Sequence, residues 1–164
     1  MTAEPINVGE KYSALDGLTY VYVPTIAAGT LIPTRTEIDD GVDLSTEVIE
    51  WEGFEITSDG IELKGLKRFK GEIPGMMSAA ESSLTLYADR GNDDVSSILP
   101  RDTAGFILRM PVGDVPTKKM SVWPIRVKSL TPVFSTEAAT AYKVAMSITA
   151  EPNESVTIPA AATP

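Results

Sequence analysis

Residues 121–129 read Ser121-Val122-Trp123-Pro124-Ile125-Arg126-Val127-Lys128-Ser129. Trp123, Ile125 and Val127 fall on alternate positions, with the cations Arg126 and Lys128 between them. A period of two places the apolar set on one face of a strand and the charges on the other, so the stretch reads as a half-buried β-strand. Pro124 lacks the N–H that a ladder requires and marks an edge or a bulge. An edge needs a cover, and a neighbouring subunit is one.

The same period recurs on both sides. Downstream, Tyr142, Val144, Met146, Ile148 and Ala150 form an inward row, with Lys143, Ser147 and Thr149 outward. Upstream, 105–110 sets Phe106, Leu108 and Met110 opposite Arg109, and 83–88 sets Leu84, Leu86 and Ala88 on one face. Residues 18–23 are β-branched and aromatic, ended by Pro24. Residues 47–56 alternate imperfectly around Trp51 and Phe54; Ser58-Asp59-Gly60 then reads as a tight turn with Gly60 at positive φ, after which Ile61 and Leu63 resume. Five or more such strands predict a mostly β chain, an antiparallel β-sandwich or barrel.

Two segments break the pattern. Asn92 or Asp93 can cap a short helix over 92–99, with Val95, Ile98 and Leu99 as its apolar stripe and Pro100 as its stop. This is the one flanking α-helix expected. Residues 65–82 do not alternate and contain Gly71, Gly75, one proline and the pair Met76-Met77. A loop of that length inside a compact domain is usually functional, and methionine is an adaptable interface residue. It is the expected interaction loop. The stretch 152–164 turns polar and then Ala- and Pro-rich, which predicts a loose tail.

Composition narrows the chemistry. The 164 residues contain no cysteine and no histidine. Disulfides, zinc-thiolate sites, Cys nucleophiles and the Ser-His-Asp triad are therefore excluded, and the usual neutral-pH acid/base is missing. Asp39-Asp40-Gly41-Val42-Asp43 and 89–94 invite a calcium reading, but neither frame supplies the ligand spacing of an EF-hand loop. No phosphate loop occurs, Asn153-Glu154-Ser155 has no secretion signal before it, and no carboxylate pair is singled out for glycosidase work. No catalytic, cofactor or metal residue is assigned. No run approaches the roughly 18 apolar residues of a membrane span, and Met1–Pro5 carries no basic or apolar leader, which predicts a soluble protein made in a cytoplasm.

Net charge is −9, unevenly spread. Ten carboxylates lie between Glu37 and Glu62 with no Lys or Arg among them; Lys64, Lys67, Arg68 and Lys70 follow at once. Three readings stay open: a solvated face beside a solvated loop, complementarity between copies of the chain in head-to-tail contact, or a surface that repels nucleic acid. An acidic chain does not suit a sequence-specific DNA binder.

These pieces, in this order, resemble the tail tube (major tail) proteins of long-tailed bacteriophages, particularly those of actinobacterial phages. Thr19-Tyr-Val-Tyr-Val-Pro24 followed by Gly29-Thr-Leu-Ile-Pro33-Thr34 is similar to the opening strand and turn of that family. Gly53-Phe-Glu-Ile-Thr-Ser-Asp-Gly-Ile61 resembles the next strand, and Leu84-Thr-Leu-Tyr-Ala-Asp89, the helix and Gly105-Phe-Ile-Leu-Arg109 resemble a strand–helix–strand core. Val122-Trp-Pro-Ile-Arg-Val127 and 142–152 resemble the late strands. The likeness covers about 17–152 of a single domain spanning 1–164, with a flexible N-terminus and a tail at 153–164; the chain stops too early for the immunoglobulin-like domain some members add.

The resemblance implies a structural virion protein in the phage tail, made in the host cytoplasm. Such proteins form hexameric rings, join inner sheets into a continuous barrel and stack into a tube that conducts DNA during ejection. Implied partners are other copies of the chain, tape-measure and tail terminator or tip proteins, and genome DNA in transit without sequence-specific binding; no membrane and no cofactor enter. A long loop reaches neighbouring subunits or rings. Lys64, Lys67, Arg68, Lys70, Met76 and Met77 are its candidate interface residues here, with Asp39, Asp40 and Asp43 on the acidic side. The alternatives are the inner tube of a contractile tail or injection device, and a monomeric β-sandwich carbohydrate-binding module.

Overall fold

The computed structural model describes residues 2–6, 9–66, 68–91 and 95–161. In chain order its strands are β1 (Thr19–Val23), β2 (Val42–Asp43), β3 (Val48–Glu52), β4 (Ile56–Leu63), β5 (Gly71–Ala79), β6 (Ser82–Tyr87), β7 (Ala104–Met110), β8 (Lys119–Val133), β9 (Ala141–Ile148) and β10 (Asn153–Thr157). Helix α1 (Arg35–Asp39) precedes β2, and α2 (Val95–Ile98) precedes β7. The main sheet runs β2-β1-β7-β8-β9-β6-β3, with β10 also on β8; β4 and β5 pair only with each other. Every pairing is antiparallel.

β8 organises this sheet because it belongs to two layers. Its first half pairs with β7 through Arg126, and its second half pairs with β9 from Ile125 to Val133. A register shift between Val127 and Ser129 bends it. The first layer (β2, β1, β7 and the start of β8) and the second (the end of β8, β9, β6 and β3) enclose one core. Tyr20, Tyr22, Ile107, Trp123 and Ile125 meet Val127, Leu84, Leu86, Val144 and Met146 there, with Phe54, Leu44, Val95 and Leu99. Trp123 sits at the centre: the Phe54 ring meets it edge-on at 5.8 Å, the Arg109 guanidinium lies over it at 5.5 Å, and its indole N–H donates to Ser121 Oγ.

The first layer is buried on its other face too. Val21, Val23, Leu108, Met110, Met120 and Val122 point away from the first core into a second, closed by Ile26, Ile38, Val156 and Ile158. Burial on both sides explains why β1 reads as an unbroken apolar run. α1 supplies Ile38 and is set by a capping box: Thr34 Oγ accepts from the Glu37 N–H and the Glu37 carboxylate accepts from the Thr34 N–H. Arg35 then ties α1 to the loop before β8 through two hydrogen bonds to Asp114, 2.7 and 2.6 Å.

The mostly β, antiparallel sandwich read from the sequence is the observed fold class, with four differences of detail. A second helix, α1, stands beside the one expected; the proposed caps Asn92 and Asp93 of the other lie outside the described residues. Pro124 marks neither an edge nor a bulge of its own. On its β9 side the neighbour of β8 changes from β10 (paired at Val122) to β9 (paired from Ile125), so the missing N–H falls at a junction, where the Pro124 carbonyl still accepts from Thr149. The stretch after Pro152 is not loose throughout: β10 pairs with β8, and Val156 and Ile158 are buried because the outer face of the first layer needs a lid. Residues 58–60 are no turn. Gly60 is not at positive φ, which among the described glycines is confined to Gly53 and Gly113, and β4 continues through it with only a register shift against β5 between Ser58 and Gly60.

Two stability measurements follow from this packing. Trp123→Ala should cost about 3–5 kcal/mol in denaturant unfolding, since a fully buried aromatic at the junction of both layers leaves a cavity they cannot close. The Arg35 hydrogen bonds and charge hold the Asp114 carboxyl below its ordinary value of 3.8. Its contribution is therefore complete above that pH and is lost as pH falls through the depressed folded value. The stability gap between the wild type and Asp114→Asn should be flat near neutrality and shrink below about pH 4; a gap that widens in acid would refute the assignment.

Candidate assembly surfaces

The second layer, unlike the first, has a bare outer face. Register places Ser129, Thr131, Lys143, Ala145, Ser147, Ser83, Thr85, Glu50 and Glu52 on it, opposite the core-facing row. Small polar side chains dominate, and three cations on this face or its rim are matched. Lys143 meets Glu52 at 2.7 Å, Lys128 meets Glu81 at 2.8 Å and Arg126 meets Asp102 at 3.0 Å. The Lys143 ammonium and Ser83 hydroxyl hold the Glu52 carboxyl below the usual range, and Lys128 does the same for Glu81. Glu52 in turn raises Lys143.

This four-stranded layer ends in two open edges. Among the described residues β3 pairs with β6 alone, so no described strand lies on its far side. On β8 the β7 side is occupied up to Val127, where the Val127 N–H donates to Thr103 and its carbonyl accepts from Asp102; from Lys128 to Val133 no strand follows among the described residues. Three successive antiparallel pairings separate β8 from β3, so the two edges run in opposite directions. A copy rotated beside the first can therefore lay the end of its β8 along β3 as one more antiparallel pair.

The third surface is the β4–β5 hairpin, which leaves the layer at its Glu52/Ser82 end. Gly53 and Phe54 make the corner at φ of 73° and 55°. A Cβ on Gly53 would come within 2.3 Å of the Glu81 carbonyl oxygen, so only glycine fits there. The Phe54 ring is buried between Tyr20 and Trp123, and its N–H donates to Ser82 Oγ at 2.9 Å. Beyond this root the hairpin is exposed almost throughout. Beyond a register shift between Ser58 and Gly60, the pairing puts Ile61, Leu63 and Ile73 on one face and Glu62 and Glu72 on the other. An apolar face on a ribbon that touches little of its own chain is a candidate docking face.

A model of the phage tail tube protein family matches residues 9–161. The chain belongs to that family. Its fold is similar to the SPP1 tail tube, solved by solid-state NMR and cryo EM, at a TM-score of 0.56 and 16% identity over 87% of this chain and 79% of that one. It is also similar to the tail of an empty GTA particle refined with C6 symmetry, at 0.54 and 8% identity over 90% of this chain and all of that one. No curated protein sequence matches it. Membership makes this a structural protein of the virion tail.

In this tail tube protein the residues expected at interfaces fall at two places. Lys64, Arg68 and Lys70 lie at the exposed tip between β4 and β5; Lys70 reaches Glu62 at 3.6 Å, and Lys67 lies outside the described residues. Met76 and Met77 lie in β5 at its register shift against β4, and both are more than half exposed. The expected loop 65–82 is thus mainly a strand, and its basic part is the true hairpin turn. Asp39, Asp40 and Asp43 sit apart from these, in and after α1. Asp39 is bonded by Arg35 and Asp43 accepts from Ser45, while Asp40 ends α1 through its backbone N–H. Neither tryptophan is a free platform for sugar: Trp123 is fully buried, and the half-exposed Trp51 leans on Tyr20.

Replacing Ile61 and Ile73 together by Thr tests the hairpin's apolar face. The unfolding free energy should shift by only about 0.5 kcal/mol, as at other surface sites, while polymerisation is lost. Loss of folding instead would show that the face packs within its own subunit.

Proposed function

We propose that this tail tube protein forms closed six-membered rings by pairing β3 of one copy with the 128–133 edge of β8 in the next, and that stacked rings make the tube through which genome DNA passes at ejection. The observation that carries the reading is the pair of open, oppositely directed edges on one four-stranded layer. An even number of antiparallel strands returns the starting direction, so every junction around a ring is equivalent, as a head-to-tail contact that closes requires. The six-fold number comes from the family resemblance and agrees with the C6 symmetry of the GTA tail.

Ring closure along these edges turns the bare polar face of the second layer toward the bore. Its chemistry suits a conduit. DNA gains affinity with each phosphate that a free Lys or Arg neutralises, and here Arg126, Lys128 and Lys143 are already held by carboxylates. Hydroxyls and short side chains between them keep the wall smooth. Tape-measure, terminator and tip proteins would engage the same tube in the virion, following synthesis in the host cytoplasm.

Electron microscopy of the purified protein across a concentration series tests the reading directly. Rings or hollow tubes are expected; small particles that persist even with an isolated tail tip added as initiator would overturn it. A second test addresses the bore. Glu52→Gln with Glu81→Gln should free Lys143 and Lys128, giving tubes that retain double-stranded DNA at low salt and release it as salt rises. Tubes that retain no more DNA than wild type would place that face elsewhere.

A further inference from the structure

The two ends of the second layer differ, and what projects from one fits what is hollowed in the other. At the Glu52/Ser82 end the hairpin leaves the body, and its tip carries Leu66 fully exposed and Phe69 86% exposed. Lys64, Arg68 and Lys70 flank them. Lys64 and Arg68 make no ion pair among the described residues. At the opposite end, where Val48 pairs with Leu86, a cleft of about 420 Å³ opens between the β2–β3 turn, the end of β6 and α2. Val42, Leu44, Leu86, Val95 and Ile98 give it an apolar floor, and Asp43, Glu47 and Asp89 give it an acidic rim.

We propose that this cleft is the receptor for the hairpin tip of a second copy in the adjacent ring, with Phe69 or Leu66 seated on the apolar floor and the tip cations on the acidic rim. The inference rests on the tube reading above and adds to it the socket that the hairpin enters. Three observations point to this occupant. The tip presents apolar side chains flanked by positive charge, and the cleft presents an apolar floor rimmed by negative charge. The root and the cleft lie at opposite ends of β6, so head-to-tail stacking brings the tip of one copy to the cleft end of the next. The hairpin is exposed almost throughout beyond its root, so its tip is free to meet another copy. The tip cannot serve its own cleft by a short path, because the hairpin departs from the far end of the strand that the cleft caps.

The absence of cysteine makes the test clean. Tubes of Phe69→Cys/Ile98→Cys protein, mildly oxidised, should give a ladder of covalent multimers on a non-reducing gel. Phe69→Cys/Thr149→Cys protein should stay monomeric, since Thr149 lies beside the hairpin root. Tubes without a ladder at Ile98, or with one at Thr149 instead, overturn the docking while leaving the tube itself intact. Failure of the unmodified protein to form tubes on an initiating tail tip is a different result and removes the reading beneath it. Charge exchange decides the matter if the cysteine variants do not assemble. Arg68→Glu and Glu47→Lys should each raise the concentration needed for tubes roughly tenfold, and their combination should restore it; no restoration, with both variants folded by circular dichroism, refutes the pairing.

Discussion

A single strand that must serve two layers constrains everything else in this protein. The first half of β8 is buried on both faces and the second half on one, with the bend between Val127 and Ser129. The double burial obliges the chain to supply a lid, which α1 and β10 provide through Ile38, Val156 and Ile158. β7 begins at the same bend. Once Val127 has bonded to 102–103, the rest of β8 passes into the second layer with one side unclaimed. The arrangement that seals the core therefore creates an open edge, and the edge at β3 follows because the layer ends there. Both edges are short, five or six residues, which limits uncontrolled strand addition.

The hairpin is the counterpart of this economy. A two-stranded ribbon is marginally stable in water, and this one sets Glu62 directly across from Glu72 while exposing Ile61, Leu63 and Ile73. The exposed Lys70–Glu62 pair contributes little. What holds the ribbon in the single subunit is its root, where Phe54 is locked between two aromatic rings and Gly53 turns the corner. Its direction is thus set by the core, and its remaining apolar surface is left to be covered in assembly.

Much of this was legible in the sequence wherever one face of a strand is buried. Trp123, Ile125 and Val127 of β8 and Tyr142, Val144, Met146 and Ile148 of β9 face the core as read, while Ala150 falls beyond β9 and is exposed and the register shift after Val127 reverses the alternation in the rest of β8. Alternation loses its meaning where both faces are buried: Phe106, Leu108 and Met110 read as the only inward row of β7, yet Ile107 opposite them is equally buried in the other core. The Asp59-Gly60 pair carried a turn signal that the strand overrode, since a tip at 64–70 allows β4 and β5 to pair over their whole length. Thr34 and Glu37 had the spacing of a capping box, the one available signal for α1. The charge asymmetry was visible as a block of acids before a block of bases, but nothing in the linear order says that the hairpin carries its cations away from the body while several acids remain behind as caps and turn partners. Open edges have no linear signature at all, because which strands end a sheet depends on pairings distant in sequence.

A stack joined tip to cleft would be polar, since one end of every ring exposes hairpins and the other exposes clefts. Such a contact never satisfies itself within a ring, so growth continues for as long as subunits remain. The chain then encodes the width of the tube through edge pairing and the direction of growth through the hairpin, but it encodes no length. A tube of fixed length would need an external ruler and a cap for whichever end stays unsatisfied. The two ends would ask different things of their caps: one must offer an acid-rimmed apolar socket, and the other must present an apolar tip flanked by positive charge.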